Sequence, residues 1–173
     1  ILVGHYLQSF KYFDSRIQLL LNNFMFQYLQ KDKIDKLFDY DNSAFIHIRG
    51  GDYLSKKHIR HKLNLVNYYN TCINKVDCKK VLVITNDKKY ATHILQKIEK
   101  KIDYTFVNLN AFESIYVMTK CKKGAICSNS SFSWWGGYLN MNKIPIYFPN
   151  RWYRNDNRLY KDMYFKGSIA VEI

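Results

Sequence analysis

Short apolar runs of strand length alternate along this chain with segments whose apolar positions recur at helical spacing. The runs are SAFIHIR (43–49), KVLVIT (80–85), YTFVNL (104–109), GAICS (124–128) and KIPIYFP (143–149). Between the first two, Leu65, Tyr69, Cys72, Ile73 and Val76 share one helical face, and 90–101, 112–121 and 131–141 also have helical period. Strands alternating with helices of this length predict βαβ units and a parallel sheet. The runs are almost continuously apolar, as expected for strands covered on both faces. The predicted fold class is α/β, a Rossmann-like parallel sheet flanked by helices.

Residues 1–173 are predicted to form a single α/β domain, because no repeat and no Pro/Gly/Ser-rich linker divides them. Residues 1–42 form a mainly helical lead-in, 43–150 the Rossmann-like core and 151–173 a C-terminal segment. Within the lead-in, 16–36 has helical period and either packs on the sheet or belongs to a neighbouring lobe. With 47% hydrophobic and 17% aromatic residues, the chain can offset the entropy of folding, which excludes disorder.

The formal net charge of +13 changes the picture of partners, not of fold: it favours polyanions or anionic small molecules. The four cysteines fall in two pairs with a spacing wider than zinc sites use, and no histidine stands close enough to complete a set. They are expected to be free buried thiols, which points to a reducing compartment and a cytoplasmic location. No metal is expected. The most apolar early run, IQLLLNNFMF, is too short for a membrane span and carries two asparagines.

Ligands of open α/β sheets gather at the carboxyl ends of the strands, so the segments there are the ones to inspect. The first is HIRGGDY (47–53), in which His47 and Arg49 alternate with Ile46 and Ile48 and share a face. A guanidinium followed by two glycines lets backbone approach an anion closely. Asp52 then either orients Arg49 or caps the next segment; a plain glycine turn with an Asp–Arg pair is the structural alternative. After the second strand, Asp87 either accepts hydrogen bonds from a base or ribose, or caps the next helix.

The third is SNSSFSWWGGYL (128–139), with Ser130, Ser131 and Ser133 where a helix begins. Free N–H groups and a positive dipole end suit a phosphate there; an ordinary serine N-cap is the structural alternative. Gly136 and Gly137 each cost ~1 kcal/mol against Ala inside a helix, which signals close helix–sheet approach. Asn129 opens an NSS sequon, but a glycan would block the helix start, so the match is read as chance. Arg, Asp and a serine-rich helix start at three strand ends suit a nucleoside diphosphate, with neither a Walker pattern nor GxGxxG present.

These residues resemble a family. HIRGGDY is similar to the HxRRxD-type motif of fucosyltransferases, and SNSSFSWWGGYL resembles the NS[ST]FSWW segment of the α-1,2-fucosyltransferases, glycosyltransferase family 11. GHYLQSFKYF (4–13), ITND (84–87), YVMTKC (116–121) and FPNRWY (148–153) follow in the family's order. The resemblance implies a GT-B-like fucosyltransferase whose nucleotide-sugar lobe this chain contains, as part of a larger protein. It implies transfer of L-fucose from GDP-fucose, with inversion and without a metal ion, to a sugar hydroxyl of a glycan acceptor such as a galactose-terminated one.

By the resemblance, Arg49 holds the β-phosphate, and Ser130, Ser131 and Ser133, with Asn129 beside them, bind the diphosphate. His47 and Asp87 read the guanine, and Phe132 walls the pocket. The chain departs from the family at Gly50, where a second arginine is usual, so that Lys56, Lys57 or Arg60 would have to substitute; the glycine-rich N-terminal motif is missing as well. No base is identified, Asp52 and Glu113 being candidates by chemistry alone. Two rival classes remain: an inactive GDP-sugar- or glycan-binding relative, and a basic nucleic-acid-binding domain suggested by NRWYRNDNRLYKDMYFK (150–166). The fucosyltransferase reading expects no nucleic-acid partner, since no signature of such a module is present.

Overall fold

A computed structural model describes residues 9–13, 15–155 and 161–173. Six strands form one sheet: β1 (Ser43–Ile48), β2 (Lys80–Thr85), β3 (Asp103–Phe106), β4 (Gly124–Ile126), β5 (Ile146–Pro149) and β6 (Ser168–Val171). All pairings are parallel and the spatial order is β3-β2-β1-β4-β5-β6. The predicted Rossmann-like α/β class is therefore the observed one. The helices are α1 (Ser15–Met25), α2 (Lys31–Asp35), α3 (Val66–Lys75), α4 (Lys88–Leu95), α5 (Ala111–Lys120) and α6 (Ser131–Tyr138).

The strand period of two sorts side chains onto two cores. Phe45, Leu82, Ile84 and Phe148 join the α5 and α6 residues Val117, Met118 and Trp134 on one face. Ile46, Val81, Val83 and Tyr147 join Tyr68, Tyr69, Ile73 and Ile94, from α3 and α4, on the other. Tyr68 reaches through this second layer and donates to the carbonyls of Cys127 and Tyr147, at 2.6 and 2.9 Å. All four cysteines are free thiols, three of them buried.

The structure revises several predicted bounds. The single helical stretch expected over 16–36 is two helices, separated by a turn in which Phe26 is buried. Its first helix packs against the end of α6: Gln18 donates to the Tyr138 carbonyl and Asn22 to that of Leu139. Strand β6 was not anticipated, being four residues long and mostly exposed at the sheet's edge. The unassigned stretch after β1 forms two short 3-10 helices, Gly51–Leu54 and Lys56–His61. Residues 4–8 and 156–160, parts of two quoted motifs, lie outside the described residues.

Helix α6 is seated by its glycines. A Cβ on Gly136 would stand 2.1 Å from Met118 Sδ and 3.0 Å from Met118 Cβ, so this glycine admits α5. One on Gly137 would stand 3.0 Å from Ile146 Cγ2 and 3.3 Å from Cys127 Sγ, so this one admits the sheet. Trp134 stacks on Tyr138 at 4.9 Å and donates its indole N–H to the Met163 carbonyl at 2.7 Å.

Gly136→Ala is expected to lower stability by ~1 kcal/mol or more, because overpacking outweighs the gain in helix propensity. The urea midpoint measures it, and a Met118→Ala background should remove the penalty. An unchanged midpoint in the single variant would contradict the packing account.

Candidate functional site

The chain leaves β1 toward β2 on one side of the sheet, while β4 lies on the other. In a sheet of this order the crevice between those two strands' carboxyl ends is the place for a ligand. His47, at the end of β1, bridges it: Nδ1 lies 2.8 Å from Ser128 Oγ beyond β4, and the ring lies 5.4 Å from that of Phe132. His47 is buried, and desolvation, helped by the Arg49 charge, lowers its pKa to about 3. It is therefore a neutral imidazole at physiological pH.

Arg49 comes next, at the strand's end. Its Nη2 lies 2.8 and 2.9 Å from the two carboxylate oxygens of Asp52, and the guanidinium stands 5.2 Å from the Tyr53 ring centre. Burial works against ionising Asp52, but the Arg49 hydrogen bond and charge prevail and hold its pKa below the usual value. Asp52 is thus an ionised brace for Arg49.

The diglycine turn is pinned by the segment after β2. Gly50 N–H donates to Asn86 Oδ1 at 2.9 Å and Gly51 N–H to Asp87 Oδ2 at 3.2 Å. Gly51 has φ +55°, which favours glycine. A Cβ at Gly50 would meet Asp87 Cβ at 2.8 Å and Tyr90 Cδ1 at 2.9 Å. The position where the family resemblance expects a second arginine therefore has no room for a side chain in this arrangement.

Two cavities meet here. One, of about 170 Å³, is lined by Arg49, Asp52, Tyr53, His58, His61, Ser130, Ser131, Phe132, Trp152 and Tyr153. The other, of about 270 Å³, is lined by His47, Arg49, Thr85, Asn86, Ser114 and Phe132 among others. Arg49 and Phe132 belong to both and form the partition. The first compartment is charged and rich in donors; the second, apart from the shared Arg49, carries neutral polar groups beside Ile84, Leu109 and Ala111.

The serines differ. Ser131 is half-buried and lines the charged cavity. Ser130 lines it too, while its Oγ accepts the Phe132 N–H at 3.3 Å as the N-cap of α6. Ser133 is fully buried, and its hydroxyl donates toward the Ser128 and Ser130 carbonyls at 3.1 and 3.2 Å, closing the turn. Asn129 is buried, and its amide donates to the carbonyls of His61 and Trp152, both at 2.9 Å. It clips two loops together, and the fold leaves no room for a glycan at this sequon.

Asp87 caps α4 through Oδ1, which accepts the Tyr90 N–H at 3.0 Å. With Oδ2 on Gly51, both oxygens are engaged, and Asn86 rather than Asp87 faces the neutral cavity. Glu113 completes a capping box with Asn110 at the start of α5 and lines neither cavity. The sequence reading missed Asn86, Tyr53, His58, His61 and Tyr153. Lys56, Lys57 and Arg60 are the cations expected to substitute for a second arginine at Gly50, but His58 and His61 from the same basic run are the ones in the cavity wall.

The sequence that builds this site, a Rossmann-like sheet with an arginine and a serine-rich helix start at its switch point, is similar to that of known proteins. The profile described as glycosyl transferase family 11 matches residues 4–171, and the chain belongs to that family. It is 30% identical over 129 residues to the O-antigen biosynthesis glycosyltransferase WbnK of Escherichia coli, covering 68% of this chain and 41% of the relative. A galactoside 2-alpha-L-fucosyltransferase of Caenorhabditis elegans is 27% identical, with 86% and 45% covered. An alpha-1,2-colitosyltransferase of Escherichia coli is 28% identical, with 66% and 42% covered. The chain thus spans less than half the length of these relatives. Among the described residues, no helix is long and apolar enough to cross a membrane.

Two outcomes are expected. The folded state excludes the proton that unfolded His47 takes up below its usual pKa of 6.5, so stability falls as pH falls from there toward about 3. Going from pH 6.5 to about 5 should cost ~2 kcal/mol from this residue. His47→Asn should flatten that dependence in denaturation midpoints; parallel slopes would show that His47 titrates normally. Separately, Ser133→Ala should destabilise by ~1–2 kcal/mol, whereas Ser131→Ala should stay within ~0.5 kcal/mol by the same measurement.

Proposed function

We propose that the paired cavities hold a GDP-sugar, and that the family's transfer reaction here moves L-fucose from GDP-fucose to a glycan hydroxyl. The observation that carries this is Arg49. It stands at the switch point beside the α6 helix start, anchored by Asp52 on one nitrogen, with Nε buried and without a partner among the described residues. The diphosphate takes the charged compartment, with Arg49, Ser130 and Ser131 as donors. The nucleoside takes the neutral one, where His47 and Asn86 offer hydrogen bonds and Phe132 an aromatic wall. The neutral state of His47 suits reading a base rather than a phosphate.

In the proposed step the acceptor oxygen attacks the anomeric carbon from the face opposite the leaving group, which inverts that centre. The bond from carbon to the β-phosphate oxygen breaks, and its electron pair leaves with GDP. Arg49 stabilises the charge that grows on that oxygen; one such preorganised donor contributes ~100-fold or more in rate. Because a guanidinium, two hydroxyls and a helix N-terminus supply the stabilisation, the reading requires no metal. The acceptor hydroxyl gives up its proton to water as the new bond forms, since Asp52 is engaged with Arg49 and Glu113 lies outside the cavities. The relatives' names, a galactoside fucosyltransferase and a colitosyltransferase, support a galactose-type acceptor and a deoxysugar donor.

Calorimetric titration with GDP, GDP-fucose, UDP and ADP in the presence of EDTA tests this. Guanine-selective binding is expected, weakened ~30-fold or more by Arg49→Ala. A folded wild-type chain that binds none of the guanine nucleotides would overturn the reading, and salt-dependent oligonucleotide binding would then support the nucleic-acid class.

A further inference from the structure

Two nitrogen donors at this site are buried without a partner among the described residues: Arg49 Nε and His61 Nδ1. Both residues line one small cavity of about 20 Å³, together with Tyr53, Tyr69 and Asn129 among others. Both also line the larger charged cavity that carries Ser130 and Ser131. The small cavity has room for about one oxygen atom. Buried N–H groups without an acceptor are rare in folded proteins, and these two belong to residues that line the same oxygen-sized space, which points to a ligand oxygen there.

The proton on His61 can be placed. Arg60 Nε–H donates to His61 Nε2 at 3.2 Å, so Nε2 is the accepting nitrogen and the single proton of the neutral ring sits on Nδ1. Burial, then the charges of Arg60 and His58, lower the pKa of His61 against the opposing pull of Asp52, which keeps the ring neutral. The ring is held by Tyr53 and Tyr153, at centroid distances of 4.9 and 5.0 Å. Its backbone carbonyl is held by Asn129. A fixed ring with a fixed tautomer is a preorganised donor.

We propose that His61 is a phosphate-binding residue: its Nδ1–H and Arg49 Nε–H together bind one oxygen of the nucleotide's diphosphate. This rests on the reading that the site takes a nucleoside diphosphate. It accounts for the crowded Gly50 position, where a second cationic side chain has no space. The second donor comes instead from the loop facing the turn, as a neutral N–H. The occupant is an anionic oxygen rather than a resident water because the adjoining wall adds the Arg49 charge and two serine hydroxyls.

The test titrates GDP and inorganic pyrophosphate into wild type, His61→Ala, His61→Asn and His61→Gln, with Arg49→Ala alongside. Asparagine places its amide nitrogen near the position of Nδ1, and glutamine near that of Nε2. Loss of ~10- to 100-fold in affinity for both ligands is expected in the alanine and glutamine variants, with asparagine keeping most of it. In wild type, ring nitrogen-15 spectra should show His61 protonated at Nδ1 and that signal moving when pyrophosphate is added. Unchanged affinity in His61→Ala, with Arg49→Ala still deficient, would overturn this role and leave the diphosphate reading standing. Equal losses in the asparagine and glutamine variants with a static Nδ1 signal would reduce His61 to loop packing. Wild type binding neither ligand would overturn both readings.

Discussion

The site depends on how closely α6 approaches its surroundings. Met118 of α5 occupies the space a side chain at Gly136 would need, and Ile146 and Cys127 crowd the space at Gly137. Two glycines cost a helix ~2 kcal/mol against alanine, and the energy is recovered through contact of Trp134, Leu139 and Met118 in a dry core, where each is fully buried. The approach fixes the start of α6 over the end of β4. From there Ser128 reaches His47 across the switch point and Ser131 reaches the cavity that Arg49 walls. A slightly higher seat for α6 would separate the serines from the arginine. The tryptophans and glycines are thus the support, and the serines are what is supported.

The other half of the site is assembled by backbone satisfaction. The turn after Ile48 has its N–H groups bound by Asn86 and Asp87, and Asn129 ties the carbonyls of His61 and Trp152 together. These side chains connect four segments distant in sequence (50–61, 86–87, 129 and 152) through hydrogen bonds that are buried or half-buried except the exposed one at Gly51, and loss of the buried ones leaves unsatisfied groups. Asp87 shows how one residue serves two structural ends, capping α4 with one oxygen and holding Gly51 with the other. Polar residues near strand ends thus divide into those that build the crevice and those that face it.

That division explains what was legible in the sequence. The strands β1 and β2 could be read almost to the residue, because central strands covered on both faces are unbroken apolar runs flanked by polar residues. Strand β6 escaped, since an exposed four-residue edge carries neither a long run nor a strict alternation. Arg49 and Ser131 were visible because each belongs to a local pattern, a strand end before glycines and a helix start. His61 and Asn86 were not, because their place in the site comes from loops meeting in space: 86–87 against the turn at 50–52, and His61 against Asn129 and Tyr153. Ser133 and Asn129 had the right chemistry for a ligand, yet burial turned their hydrogen bonds inward. Sequence shows which residues could donate; packing decides which of them face the cavity.

The pairing of Arg49 with Asp52 sets how the site can discriminate. A carboxylate on Nη2 cancels part of the guanidinium's charge, so general attraction to anions is reduced, even in a chain of net charge +13. What stays available is directional: the Nε edge turned into the fold, where a ligand oxygen must arrive along a defined line. A surface lysine binds anions by charge and is screened by salt. A braced arginine in a crevice binds by geometry and selects an oxygen held at the right distance from a second group. Phe132 forms the partition with Arg49 and His47 stands beyond it, so a ligand that fills both compartments presents something flat or hydrogen-bonding there. A phosphate alone meets only the first condition, and the nucleoside diphosphate proposed above meets both.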